Sequence, residues 1–253
     1  NTPGRTTVVE KFATRDHSER IFKYFGVPIV IDEDNIHVSG HAELTARDMT
    51  VPADPSSASF LVVAALITEG SDLTIKNVGM NPARIGLFET LLDMGGQIYF
   101  ENKRQSCGED ISDIHVKYSK LKGIKVPHER APSMIDEYPV LCAAAANAEG
   151  NTIMRGINEL RVKESDRIAV MVKGLKASGV NVIEHDDGMT VSKSEVSGGT
   201  LVETHLDHRI AMSFLILGLN SKESISIDDG RVIETSFPGF KDLMNSLGAQ
   251  ICF

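Results

Sequence analysis

Phe60-Leu61-Val62-Val63-Ala64-Ala65-Leu66-Ile67 contains no charged or polar side chain. Its setting predicts a helix over Ser56 to Thr68, and a helix that is apolar on every side must be buried on every side. Two further runs have the same character, Cys142-Ala143-Ala144-Ala145-Ala146 and Phe214-Leu215-Ile216-Leu217-Gly218-Leu219. The small alanines permit close approach of neighbouring helices. None of the three nears the 18 or so apolar residues that a membrane crossing requires, so they read as the centre of a globular domain.

Around each inner helix the same grammar recurs. In the first copy the helix is followed by Gly70, a strand Leu73 to Lys76, a second helix Pro82 to Met94, an exit at Gly95-Gly96, and strands Gln97 to Phe100 and Ile114 to Lys117. The second copy has a helix near Ser133 to Ala148, then Gly150, a strand Thr152 to Arg155, a helix Asp166 to Ala177, Gly179, and strands Val180 to Glu184 and Met189 to Ser192. In the third copy a helix His208 to Leu219 leads to a strand Ser224 to Ile227, a helix Pro238 to Leu247, Gly248 and a last strand Gln250 to Cys252. The second helix of each copy is amphipathic, with Ile168, Met171, Val172 and Leu175 in one stripe and Arg167, Lys173 and Lys176 largely elsewhere. The expected fold class is α/β: three βαβ-type units with pseudo-three-fold symmetry, inner helices at the centre, sheets and outer helices around them.

Ahead of these units a strand Thr6 to Glu10, a helix Asp16 to Phe25, Gly26, and strands Val27 to Ile31 and Ile36 to Val38 read as a fragment of the same kind. The prolines of Val51-Pro52-Ala53-Asp54-Pro55 exclude a regular element there. A boundary follows: residues 1–52 are the remainder of one domain and 53–253 a second.

The formal charge of −9 over 253 residues argues against a generic nucleic-acid surface, though it leaves room for a local basic pocket. Cys107, Cys142 and Cys252 are odd in number and far apart, which suggests neither a disulfide framework nor a zinc knuckle and fits a reducing cytoplasm. His205 and His208 lack a third ligand at metal spacing, so no metal is expected. Gly95-Gly96 and Gly198-Gly199 lack the context of a phosphate-binding loop, which disfavours a nucleotide-dependent enzyme.

Chemistry concentrates in Arg161-Val162-Lys163-Glu164-Ser165-Asp166-Arg167, at a loop-to-helix junction that Ser165 or Asp166 would cap. If the helix starts early, Lys163 and Arg167 share a face and, with free N–H groups, form an anion pocket; Glu164 among them can exchange protons with a bound group. The alternative is a solvated, ion-paired first turn. Ser56, Ser57 and Ser59 read chiefly as helix caps. Asp136, flanked by Met134-Ile135 and an apolar run, is either tied to a cation or holding a substrate hydroxyl. Arg209 at the start of a very apolar helix is either paired with Asp207, Asp136 or Glu164, or reserved for an anion.

Leu160 to Arg167, together with Asp207-His208-Arg209-Ile210-Ala211-Met212, Asp54-Pro55-Ser56-Ser57-Ala58-Ser59 and Thr235-Ser236-Phe237-Pro238, resembles the 3-phosphoshikimate 1-carboxyvinyltransferase (EPSP synthase) family in the same order along the chain. Thr14 to Arg20 and Ile135-Asp136-Glu137-Tyr138-Pro139 resemble its glyphosate-insensitive bacterial class. The resemblance implies two inside-out α/β domains with an active site between them, and places this chain at the end of the first domain and the whole of the second. It implies transfer of the enolpyruvyl group from phosphoenolpyruvate to 3-phosphoshikimate, in the shikimate pathway to chorismate and the aromatic amino acids, by a cytoplasmic monomer with no cofactor, no membrane and no nucleic-acid partner. By the same resemblance Asp136 holds the shikimate hydroxyl and accepts its proton, Glu164 carries a proton to or from the enol carbon, and Lys163 lies near the hydroxyl. Arg167 and Arg209 would clamp phosphoenolpyruvate, and Arg15 would bind the 3-phosphate.

There are two departures. The lysine that many members place before the Ser-Phe-Pro turn is Thr235 here. The family's amino-terminal lysine, arginines and glutamine have no counterpart in these 253 residues, so an alternative expectation is a catalytically inactive half that requires the missing amino-terminal part. The sister family, UDP-N-acetylglucosamine 1-carboxyvinyltransferase, typically has Asp-Leu-Arg where this chain has Asp207-His208-Arg209, which disfavours it.

Overall fold

The structure, a computed structural model, describes residues 3–11 and 14–252. The first unit holds β1 (Arg5–Val9), α1 (His17–Tyr24), β2 (Ile29–Asp32) and β3 (Asn35–Ser39). Its sheet has the order β1-β3-β2, with β3 antiparallel to both neighbours. The helix between β1 and β2 sets them parallel one strand-width apart, and the hairpin returning from β2 fills the gap.

That arrangement recurs. After α2 (Pro55–Ile67), the strands β4 (Asp72–Gly79), β5 (Gln97–Ser106) and β6 (Glu109–Lys117) form a sheet β4-β6-β5, with α3 (Gly86–Asp93) connecting the first two. After α4 (Tyr138–Asn147), β7 (Asn151–Met154), β8 (Val182–His185) and β9 (Gly188–Ser192) form β7-β9-β8, with α5 (Arg167–Ala177) as the connection. The third copy is reduced to α6 (His208–Leu217), α7 (Phe240–Ser246) and a two-stranded parallel sheet of β10 (Thr200–Val202) and β11 (Ile225–Ile227). Residues 250–252 carry no strand, contrary to the expectation from Gln250-Ile251-Cys252. Instead Ile251 is fixed by the Asn245 side chain, which accepts from its N–H and donates to its carbonyl. The strand β10 was not anticipated, because only three residues pair after Gly198-Gly199.

The inner helices are as buried as their composition requires. Every residue of α2 except Ser57 is buried, as is α4 from Tyr138 to Ala146. The three helices α2, α4 and α6 contact one another pairwise. At their C-terminal ends Asn220 donates to the Ile67 carbonyl (2.6 Å) and the Asn147 side chain (3.2 Å), so the helices run in the same direction. Their N-termini meet at the other end. The outer helix α5 lies close to α6: a Cβ on Gly174 would stand 2.3 Å from the Phe214 ring.

Helix starts differ from expectation where proline and ion pairs intervene. The segment expected to begin a helix at Ser133 makes two 3-10 turns, His128–Ser133 and Ile135–Glu137, before α4. Similarly α3 starts at Gly86 rather than Pro82, after a turn in which Asn81 accepts from the Ala83 N–H.

The first unit and the second sheet touch through the β5–β6 hairpin. Its tip, Cys107 and Gly108, has φ of 55° and 83°, the left-handed pair that a tight hairpin turn needs. Next to the tip, Glu109 meets His17 at 2.6 Å, and Asn81 donates to both Asp16 and Glu109.

Candidate active site

The N-termini of the inner helices carry the charged residues. Asp54 caps α2 by accepting from the Ser57 N–H (2.9 Å), so the cap is the aspartate and not the serine run. Ser56 accepts from Arg84 (2.7 Å), while Ser59 donates back to the Pro55 carbonyl. At α6, Asp207 accepts from the N–H groups of Arg209 and Ile210. At α5, Asp166 accepts from the Ala169 N–H at 3.0 Å and pairs with Arg161 at 2.9 Å. The parallel inner helices α2, α4 and α6 thus aim the positive ends of their dipoles at one region, with the start of the outer helix α5 beside it.

Lys163 is not on α5. A 3-10 turn over Asn158–Val162 ends in extended backbone at Lys163, and the ammonium pairs with Glu159. The helix does not start early, so Lys163 and Arg167 share no helical face, and the two reach the site by different routes.

Arg167 departs furthest from expectation. The first residue of α5 has zero exposure, whereas the amphipathic pattern set it apart from the buried stripe. Its Nε donates to Asp207 (2.8 Å), one terminal nitrogen to Asp136 (3.2 Å) and the other to Glu164 (2.5 Å). A buried guanidinium needs that many acceptors. Burial alone would lower its pKa, but the Asp207 hydrogen bond and the charges of Asp207, Glu164 and Asp136 raise it.

Asp136 joins the cluster. Its carboxylate accepts from Arg15 (3.2 Å) and Arg167, and Arg209 stands 3.9 Å away. Burial tends to raise its pKa; Arg209, the Arg15 hydrogen bond, Arg167 and Lys163 together bring it below the ordinary aspartate value. The neighbouring Glu137 is almost fully buried, and burial raises its pKa against the opposing charge of Arg209. Glu164 is half exposed. His208 is pushed toward the neutral form by burial and by Arg209.

All six residues singled out from the sequence, Arg15, Asp136, Lys163, Glu164, Arg167 and Arg209, lie in or beside this one cluster. The guanidiniums of Arg167 and Arg209 reach the same carboxylate, well within the span of a small ligand. Glu137 and Arg84 were not singled out. An acidic pair directly before an apolar helix start was the available signal for Glu137. Thr235 closes a 3-10 turn over Gly230–Thr235 and donates to the Val232 carbonyl.

The family model described as "EPSP synthase (3-phosphoshikimate 1-carboxyvinyltransferase)" matches residues 1–244. The chain belongs to the EPSP synthase family. Curated members named 3-phosphoshikimate 1-carboxyvinyltransferase are similar to it from Paramagnetospirillum magneticum (53% identical over 258 residues) and Jannaschia sp. (54% over 259 residues). In each comparison 99% of this chain and 58% of the relative are covered. The chain thus spans a little over half the length of these members. The solved EPSP synthase of Acinetobacter baumannii superposes with a TM-score of 0.95 at 43% identity, over 98% of this chain and 58% of that one. The enolpyruvyl transferase NikO from Streptomyces tendae shares the fold, with a TM-score of 0.76 at 18% identity, covering 98% of this chain and 56% of its own. The EPSP synthase-like α/β fold is therefore that of this chain. No helix among the described residues is long and apolar enough to cross a membrane.

Proposed function

We propose that this chain supplies one wall of a site that transfers the enolpyruvyl group of phosphoenolpyruvate to the 5-hydroxyl of 3-phosphoshikimate, releasing phosphate. The observation that carries the reading is the meeting of Arg15, Arg167 and Arg209 on Asp136, with Lys163 and Glu164 beside them, in a member of the EPSP synthase family. Arg167 and Arg209 hold phosphoenolpyruvate, Arg15 the 3-phosphate, and Lys163 the neighbourhood of the hydroxyl. Asp136 takes the hydroxyl proton as the oxygen adds to the enol carbon, and Glu164 delivers a proton to the methylene carbon. Glu164 recovers that proton as phosphate departs and the double bond re-forms.

The arginines hold Asp136 below its usual pKa, which makes it a weak base. Substrate anions that engage those arginines relieve this, so Asp136 gains basicity when both substrates are seated.

The four cations Arg15, Lys163, Arg167 and Arg209 are met by five carboxylates, Asp136, Glu137, Glu159, Glu164 and Asp207. That count leaves no surplus positive charge for two phosphorylated substrates. The 253-residue chain alone therefore binds them weakly and does not turn over; the further cations come from an amino-terminal portion of the kind the relatives' greater length provides. We assign residues 1–52 to that portion's domain and 53–253 to a second domain, in a protein that works as a cytoplasmic monomer. A phosphate-release assay with both substrates tests this, run on the 253 residues with and without the amino-terminal portion of a relative added in trans. Phosphate release by the chain alone would overturn the division of labour, and none with the portion restored would overturn the activity.

A further inference from the structure

Arg167 and Arg209 meet the same carboxylate but are held differently. The guanidinium of Arg167 is saturated by Asp207, Asp136 and Glu164 and has no exposed surface. Arg209 is held from one side. Its Nη1 donates to Glu137 Oε1 (3.3 Å) and to the Asp136 carbonyl (3.4 Å), and Nη2 lies 3.9 Å from the Asp136 carboxylate. Among the described residues Nε and Nη2 make no hydrogen bond, and the side chain keeps 18% exposure. Two parallel N–H groups on one edge of a guanidinium match the two oxygens of a carboxylate.

Glu137 is the group that fixes which edge is left open. It sits one residue before α4, is 3% exposed, and its turn, Ile135–Glu137, packs against α2. Ser56 at the start of α2 accepts from Arg84, which also pairs with the α2 cap Asp54. Glu137 is thereby packed between two inner helices while its carboxylate grips a residue on the third.

We propose that Glu137 is a positioning residue: it holds Arg209 by its inner nitrogen and presents the outer Nε–Nη2 edge to the carboxylate of phosphoenolpyruvate. This rests on the enolpyruvyl-transfer reading of the site. Glu137 touches no substrate and acts through Arg209 alone. Its removal should therefore affect one substrate more than the other.

The test uses the 253 residues with the amino-terminal portion of a relative added in trans. Glu137→Gln, which keeps the shape but removes the charge, is expected to raise KM for phosphoenolpyruvate by about tenfold, with kcat and KM for 3-phosphoshikimate changed less than about twofold. Glu137→Asp keeps the charge with a shorter reach and should give a smaller rise; it decides the matter if the glutamine variant does not fold. On an Arg209→Lys background, which has no second N–H edge, Glu137→Gln should add no further loss of phosphoenolpyruvate affinity measured by calorimetry. Equal rises in both KM values, or an undiminished effect on the lysine background, would overturn the assignment. Should the wild-type protein bind phosphoenolpyruvate without forming product, the reaction proposed above fails, while calorimetry still reads the role of Glu137.

Discussion

Arg167 and Asp207 meet at 2.8 Å with neither side chain exposed, 40 residues apart in the chain. Asp207 also caps α6 and accepts from Ser165 (3.0 Å), so one carboxylate closes a helix, a loop and a buried cation. Replacing Asp207 by Asn leaves the guanidinium short of a charge in the interior. A loss of about 3–5 kcal/mol is expected, read from the shift in denaturant midpoint; a loss below 1 kcal/mol would mean that water or a neighbouring carboxylate takes over.

The two arginines on Asp136 should separate under mutation. Under the proposed function, Arg209→Ala is expected to weaken phosphoenolpyruvate binding severely with little loss of stability, because its contacts are long and its side chain is partly open. Arg167→Ala should do the reverse in stability, stranding Asp207 and Asp136 without their main cation. Paired thermal melts and calorimetric titrations distinguish them, and similar melting behaviour for both would contradict the difference in burial.

Glu164 is tied to Arg167 at 2.5 Å yet half exposed, so it is free to leave. Under the proposed reaction, with the amino-terminal portion of a relative supplied in trans, Glu164→Gln should cut kcat by about 10²–10⁴-fold, the usual weight of a lost proton carrier, while substrate affinity holds or improves as the competitor for Arg167 weakens. Steady-state kinetics with both substrates varied gives the answer. A selective rise in KM at unchanged kcat would recast Glu164 as a binding group.

Asp136 sets an acid limit on stability. Burial works to raise its pKa, but Arg209, Arg15, Arg167 and Lys163 prevail and its folded value lies below the unfolded one. Its contribution is complete above the ordinary aspartate range and is lost as pH falls through the depressed folded value. Stability curves for the wild type and Asp136→Asn should therefore differ at neutral pH and converge in acid. A constant gap across the acid range would show that the pairs to Asp136 carry no linkage.

Gly174→Ala tests the contact of α5 with α6. Helix propensity favours alanine by about 1 kcal/mol, but the new methyl would meet Phe214 at 2.3 Å. Overpacking of this kind typically costs about 1–3 kcal/mol, so a net loss is expected in chemical denaturation. A stabilised variant would show that the Phe214 ring can move aside.

The inner helices were legible because a run such as Phe60–Ile67 has only one way to satisfy solvent, and the strand–helix–strand spacing between them gave the units. What composition could not show was the partner of each charge. The amphipathic pattern set Arg167 outside the buried stripe because its carboxylates are at Glu164, Asp136 and Asp207, two of them distant in sequence. The early helix start that would have put Lys163 on one face with Arg167 is excluded by the Asn158–Val162 turn, which breaks the register that i,i+4 spacing assumes. Asp166 as cap was readable, being a local rule. The lost strand at 250–252 failed for the opposite reason, since a short apolar end has no local signal to distinguish pairing from packing.

The tie that Asn220 makes between Ile67 and Asn147 lies at the far end of the inner bundle from the charged cluster. The 13 residues of α2 put about 20 Å between the two ends. Alignment of the helices is thus settled at one pole and reactivity at the other. Substitutions around Ser56, Glu137 and Arg209 can change what the surface accepts without sliding one helix past another. Such a division lets one scaffold drift in chemistry while its architecture stays put.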